Sequence, residues 1–198
     1  MSISYLRILN GSPSERQLDL WANDTKVAQN LAYKGFTDYF KAEGGTYDIK
    51  INAAGTNKVV LSELINLQPG HIYTLVIQGA AEAPGLFFVT DTPRPPLKDR
   101  AALRMINISP DTDFTVTLNG EDFISGLTYN EITEFYELDP GNNHVRAYDG
   151  ADKKLVLEVP KMALKDDKFY SCYIVGFKDG KPGLQILVPQ EGMAFLEM

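Results

Sequence analysis

Leu6-Arg7-Ile8-Leu9-Asn10-Gly11-Ser12-Pro13 returns as Leu103-Arg104-Met105-Ile106-Asn107-Ile108-Ser109-Pro110. An internal repeat constrains a fold more than any single motif, because both copies must reach the same structure from different side chains. The match runs on through Asn23, Leu31, Tyr33 and Thr37, which return as Asn119, Leu127, Tyr129 and Thr133. Lys58, Val60 and Leu61 return as Lys154, Val156 and Leu157, and Tyr73, Ile77 and Gly79 as Tyr170, Ile174 and Gly176. The offset stays between 96 and 98 residues, so each copy has the length of one small domain. Two copies also fall short of the three or more that a stacked solenoid needs. Residues 1–91 are expected to form one domain and 101–198 a second, joined by 92–100. Pro93, Pro95 and Pro96 fall in that joining stretch, which should be extended, since proline fixes φ and has no N–H to give a central strand.

The local pattern is β almost throughout. Short apolar runs alternate with Asn-Gly, Pro-Gly and Gly-Gly turn signals, at the spacing of a sandwich. No window of helical length keeps a clean three-four apolar period. The two copies together orient one strand. Tyr73, Leu75 and Ile77 match Tyr170, Cys172 and Ile174 and stay apolar, so this face should meet the core. The alternate set, Ile72, Thr74, Val76 and Gln78, admits polar residues and is expected to face away. Leu67 precedes Tyr73 by six residues, as Leu164 precedes Tyr170, which is the spacing of a tyrosine corner. The turns fit a meander of antiparallel strands.

The opening strand ending in Ser-Pro is followed by Asn23-Asp24 and then by Leu31-Ala32-Tyr33. Gly45-Thr46-Tyr47 and Ala54-Gly55-Thr56-Asn57-Lys58 come next. In this order the chain resembles the bacterial domain of unknown function 4397 family, as two tandem copies over nearly its whole length. The resemblance implies an immunoglobulin-like or transthyretin-like sandwich, usually in secreted or surface proteins, with no established catalytic site to transfer. The family often has His-Ala before Ser-Pro, where this chain has Asn10-Gly11 and Asn107-Ile108. It often has Asp after that proline; here Asp111 fits and Ser14 does not. The expected fold is all-β, two tandem antiparallel β-sandwiches.

Chemistry is sparse. The formal charge is −7, concentrated in residues 101–198, which argues against nucleic acid and anionic membranes as main partners. One cysteine excludes an intramolecular disulfide, and its position on the apolar face makes Cys172 a packing residue. His71 and His144 do not recur and have no Cys or His at ligand spacing, so neither zinc nor a nucleophilic triad is expected. Asp111 and Asp113 lie in a loop of the kind that binds calcium, but two carboxylates fall short of a calcium shell. The alternative there is a solvated Asx turn. The glycine-rich run Gly79–Gly85 lacks phosphate-binding order and reads as a hairpin loop. No catalytic, cofactor or metal residue is therefore nominated.

Contact residues are better sought where the copies differ. Glu131, Glu134 and Glu137, with Asp139, replace Gly35, Asp38, Lys41 and Glu43; they suit a partner face or a solvated sheet edge. Tyr33, Phe36, Tyr39 and Phe40 keep apolar or aromatic counterparts, which favours core packing. Trp21 is replaced by Thr117 and alternates with the inward Leu18 and Leu20, so it belongs on an outer face. The leading functional reading is a non-catalytic structural or adhesive module, with a protein or glycan partner or self-association. A carbohydrate- or peptide-binding module is the alternative, and an enzyme is the least favoured. The start Met1–Arg7 has no leader pattern, and no stretch has transmembrane length. Location stays open between the cell or spore surface, which the resemblance implies, and the cytoplasm.

Overall fold

The computed structural model describes residues 3–14, 16–80, 83–194 and 196. Met1-Ser2, Glu15 and the Ala81-Glu82 part of the glycine-rich loop lie outside the described residues. The chain divides into two compact units, one built on Met1–Pro93 and one on Arg94–Ala194. Among the described residues the only helical element is a 3-10 turn at Gly192–Ala194.

Among its described residues the first unit has eight strands. They are β1 (Ile3–Asn10), β2 (Leu18–Ala22), β3 (Thr25–Leu31), β4 (Phe40–Glu43), β5 (Gly45–Ala53), β6 (Val59–Leu67), β7 (Ile72–Gln78) and β8 (Gly85–Asp91). The second repeats them as β9 (Ala101–Asn107), β10 (Phe114–Leu118), β11 (Glu121–Leu127), β12 (Tyr136–Leu138), β13 (Gly141–Asp149), β14 (Leu155–Leu164), β15 (Lys168–Val175) and β16 (Gln185–Leu187). Each unit is a sandwich of two four-stranded sheets. Their orders are β4-β1-β7-β8 and β3-β2-β5-β6 in the first, and β12-β9-β15-β16 and β11-β10-β13-β14 in the second.

This order is not a meander. Only β2–β3, β5–β6 and β7–β8, with their counterparts, are hairpins within one sheet. The other connections cross between sheets. As a result β1 and β7 run parallel, Leu6 opposite Tyr73 and Ile8 opposite Leu75, and β9 pairs β15 in the same sense. The other pairs of named strands are antiparallel. In the immunoglobulin constant type the first and second strands share a sheet. Here they do not, which leaves the transthyretin-like alternative.

The core lies between the sheets. Leu6, Ile8, Tyr73, Leu75 and Ile77 of one sheet meet Leu18, Leu20, Ile49, Ile51, Ile65 and Leu67 of the other. In the second unit Leu103, Met105, Tyr170, Cys172 and Ile174 meet Phe114, Val116, Val145, Ala147, Met162 and Leu164. The face expected in the core is in the core. The face expected to point away is buried as well: Ile72, Thr74 and Val76, and Phe169, Ser171, Tyr173 and Val175, are all sequestered. Each of these faces carries a buried arginine. Arg7 donates through Nε to Thr74 Oγ1 at 2.9 Å, and Arg104 to Ser171 Oγ at 2.7 Å.

Aromatic rings cover those arginines. Phe36 and Tyr39 stand 4.9 and 4.8 Å from the Arg7 guanidinium, and Phe135 stands 4.4 Å from that of Arg104. So Phe36 and Tyr39 persist as apolar positions without packing between the sheets; a cation–π roof accounts for them. Phe40 does pack against the core, whereas its counterpart Tyr136 is exposed and leans on Phe123, with ring centroids 4.8 Å apart.

Candidate functional site

The residues that the copies share are occupied by the fold. Asn10 ends β1 and donates Nδ2 to the Leu31 carbonyl of the opposite sheet at 2.9 Å, while its Oδ1 accepts the Ser12 N–H. Asn107 does the same with Leu127 and Ser109. Ser12 and Ser109 then donate to the carbonyls of Gly79 and Gly176, the glycines that end β7 and β15. Thr37 and Thr133 accept the amides of Ile8 and Met105 through their hydroxyls. Tyr73 accepts the Gln68 amide at 2.9 Å and Tyr170 the Lys165 amide at 3.2 Å, so both tyrosine corners are formed. Asn23 and Asn119, at φ 51° and 55°, turn the β2–β3 and β10–β11 hairpins and accept the amides of Asp48 and His144.

The unshared chemistry is also largely tied down. Cys172 is fully buried beside Met162, and burial pushes its thiol up to about 12. His71 stacks on Tyr73 and bonds through Nδ1 to the Pro69 carbonyl. His144 Nε2 lies 2.7 Å from Glu158, which Arg146 also grips at 2.8 Å; those two contacts hold the Glu158 carboxyl below its usual range. Asp111 accepts the Ser109 hydroxyl and the Lys178 amide. No group of three His, Cys, Asp or Glu suited to a metal ion occurs among the described residues.

The nominated acidic residues do not converge on one site. Glu131 folds back on its own turn and accepts the Thr128 amide at 2.7 Å and hydroxyl at 3.0 Å. Glu134 is exposed, and its carbonyl takes the Thr133 hydroxyl. Glu137 lies on the edge strand β12 and lines a cleft of about 220 Å3 with Phe135, Phe169, Leu97 and Arg94.

Trp21 stands on the outer face of β2, half-buried, with Lys50 opposite on β5 and Lys26 opposite on β3. It lines a cleft of about 190 Å3 with Asn23, Asp24, Lys50, Asn52 and Val59. Amide, carboxylate and ammonium groups thus surround an indole, the mixture that orients a polar ligand with an apolar face. The Lys26 ammonium sits 5.0 Å from the indole centroid and is held there by Asp19 at 3.1 Å. Lys50 is paired with Asp48 at 2.9 Å.

Sequence reasoning passed over two buried aspartates. Asp19 is on the sheet's outer side yet only 4% exposed, because its carboxylate accepts the Asn30 amide at 2.8 Å as well as Lys26. The Asn30 amide is the first cause of its lowered pKa. Asp149 is 1% exposed and receives Lys178 Nζ at 2.6 Å, Thr112 Oγ1 at 2.7 Å and two backbone amides. The Lys178 ammonium, first among these, holds that carboxyl far below the usual range. The available signal for both was an isolated Asp within an apolar alternation. Asp149 shares a cleft of about 500 Å3 with Asp111, Asp113, Lys153 and Lys178 at one end of the second unit.

No helix among the described residues is long and apolar enough to cross a membrane. No curated protein matches the chain. One similar solved structure is the CBMbc module (family CBM26) from Eubacterium rectale Amy13K in complex with maltoheptaose. It aligns over 93% of this chain and 96% of that one, at 8% identity and a TM-score of 0.28, a similarity too low to support an argument. The family model described as "Domain of unknown function (DUF4397)" matches residues 4–114 and again 109–194. By those two matches, which together span almost the whole chain, the protein belongs to the DUF4397 family.

Proposed function

We propose that the chain is a non-catalytic binding module with a structural or adhesive role, as the setting of its family at cell or spore surfaces implies. The observation behind this reading is the distribution of polar contacts. The residues common to both copies close loops and join sheets, and the histidines, the cysteine and Asp149 are each absorbed by local partners. An acidic surface with a net charge of −7 favours a protein or glycan partner over nucleic acid.

Within that reading Trp21 favours a glycan contact on the first unit. An indole stacks on the apolar face of a pyranose ring, while Asn23, Asp24 and Asn52 supply donors and acceptors for hydroxyls. The chain has one tryptophan, so its fluorescence reports from this place alone. Titration of the full chain with neutral oligosaccharides is expected to change the Trp21 emission saturably, and Trp21→Ala is expected to weaken binding at least tenfold. A flat response across the panel ends the glycan assignment. A glycan that binds equally well to Trp21→Ala moves the site elsewhere while leaving the binding-module reading in place. Turnover of any of these ligands by the purified chain would overturn the non-catalytic reading itself.

A further inference from the structure

Tyr5 and Ala102 occupy the same place in the two units. Tyr5 lies opposite Lys41 on β4 and Ile72 on β7, and Ala102 lies opposite Glu137 on β12 and Phe169 on β15. Each shares the outer face of its sheet with the arginine two residues on, Arg7 or Arg104, because the residue between, Leu6 or Leu103, points into the core. In the first unit a tyrosine fills this place and is only 8% exposed. In the second a methyl group stands there, and the cleft of about 220 Å3 opens over it.

This cleft has an apolar interior and a charged rim. Phe135 and Phe169 meet edge to face, with ring centroids 5.4 Å apart. Pro95 and Leu97 of the joining stretch form a further wall, and Pro95 with Pro96 limits the backbone freedom of that wall. Glu137 and Arg94 complete the lining, and both are exposed. The Arg94 guanidinium stands 5.7 Å from the Phe135 centroid, and Arg100 donates to the Glu137 carbonyl, not to its carboxylate. Among the described residues neither the Glu137 carboxylate nor the Arg94 guanidinium has a hydrogen-bond or ion-pair partner. One free anion and one free cation thus border a slot walled by rings. Its volume falls below the roughly 300–1,000 Å3 of pockets for drug-sized ligands and suits a single ring.

We propose that this cleft binds a free aromatic amino acid. The ring of the ligand lies over Ala102 against Phe135 and Phe169, where the first unit has Tyr5. Its ammonium meets Glu137 and its carboxylate meets Arg94, whose planar fork matches a carboxylate. An aliphatic amino acid leaves the aromatic walls without a stacking partner, and an uncharged ring leaves both rim charges unused. The cleft shares no residue with the Trp21 site, so either assignment can fail alone.

The test is a titration of the 15N-labelled full chain with L-phenylalanine, L-alanine and N-acetylphenylalaninamide, followed by amide chemical shifts. Saturable shifts at Leu97, Ala102, Phe135 and Phe169 are expected with phenylalanine and none with alanine. N-acetylphenylalaninamide keeps the ring without the charges and is expected to bind at least tenfold more weakly. Ala102→Tyr fills the cleft as the first unit does and is expected to abolish the shifts. Arg94→Gln and Glu137→Gln change exposed side chains that hold no partner, so they spare the fold, and each is expected to weaken phenylalanine binding at least fivefold. Absence of a saturable shift with phenylalanine, or equal shifts with alanine, overturns the proposal. Undiminished binding by Ala102→Tyr with a native spectrum, or by both glutamine variants, does so too. N-acetylphenylalaninamide binding as tightly as phenylalanine overturns the free amino acid and leaves a slot for an aromatic side chain of a peptide.

Discussion

At the scale of the residue, Asp19 is a structural polar group that only the first copy has, Thr115 standing in its place in the second. Its carboxylate, only 4% exposed, accepts from two amides and an ammonium, so removing it takes the acceptor from all three. Asp19→Ala is expected to cost about 1–3 kcal/mol at neutral pH, read as the shift in urea-unfolding free energy of the first unit. The sign with pH follows from the lowered pKa. A carboxyl depressed in the folded state contributes fully above its unfolded pKa and loses that contribution as the pH falls through the folded value. The gap between wild type and Asp19→Ala should therefore close progressively below about pH 4. A gap that stays constant down to pH 2 would assign the loss to packing alone. This aspartate was hard to read from sequence because its partners are backbone amides, which no residue pattern announces. Cys172 and Tyr170 were legible, since an alternating strand present in two versions reveals which face must stay apolar.

At the scale of the element, the central strands were legible in part and the edges scarcely at all. Alternation placed Tyr73 and Leu75 in the core, yet the opposite face of β7 is buried too. Thr74 and Ser171 read as solvent-facing because the arginine that each one anchors is 67 residues away in the chain. The parallel pairing of β1 with β7 was equally hidden, because turn signals specify local hairpins and carry no information on crossovers between sheets. The edges show two different safeguards against pairing with another chain. β6 is a nine-residue edge strand with exposed Val59 and Leu64, but Glu63 lies opposite the core residue Ile49 and so puts a charge on its inner side. In β14 the matching position is Val159, and protection comes from Pro160 and Lys161 beside a break in register. Inward charges, prolines, lysines and bulges all blunt edges. Glu63→Val is expected to raise concentration-dependent association in sedimentation velocity relative to wild type. An unchanged sedimentation profile across the same range would show that Glu63 has no such role.

At the scale of the whole molecule, the repeat divides the sequence into two classes of position. Residues that recur, such as Asn10 and Asn107, Ser12 and Ser109, and Tyr73 and Tyr170, hold sheet ends and corners. Residues that do not recur include Trp21, Glu134 and Lys153, which line clefts or stand exposed, but also Asp19 and Asp149, buried carboxylates that each serve the fold of one copy alone. The recurring set explains why fold was readable from the chain while ligand was not. A duplicated fold leaves two independent samples of each structural requirement, but a binding surface that belongs to one copy leaves a single sample. The most direct measurement is urea unfolding of a matched alanine set at the recurring positions Asn107, Ser109 and Tyr170 and the non-recurring positions Trp21, Glu134 and Lys153. Losses of about 1–3 kcal/mol are expected at Asn107 and Ser109, where buried partners are left unpaired, more at Tyr170, whose ring also leaves the core, and changes within about 0.5 kcal/mol at Glu134 and Lys153, with a small loss at Trp21. Wild-type stability in Asn107→Ala and Tyr170→Ala, together with unfolding in Glu134→Ala or Lys153→Ala, would contradict it.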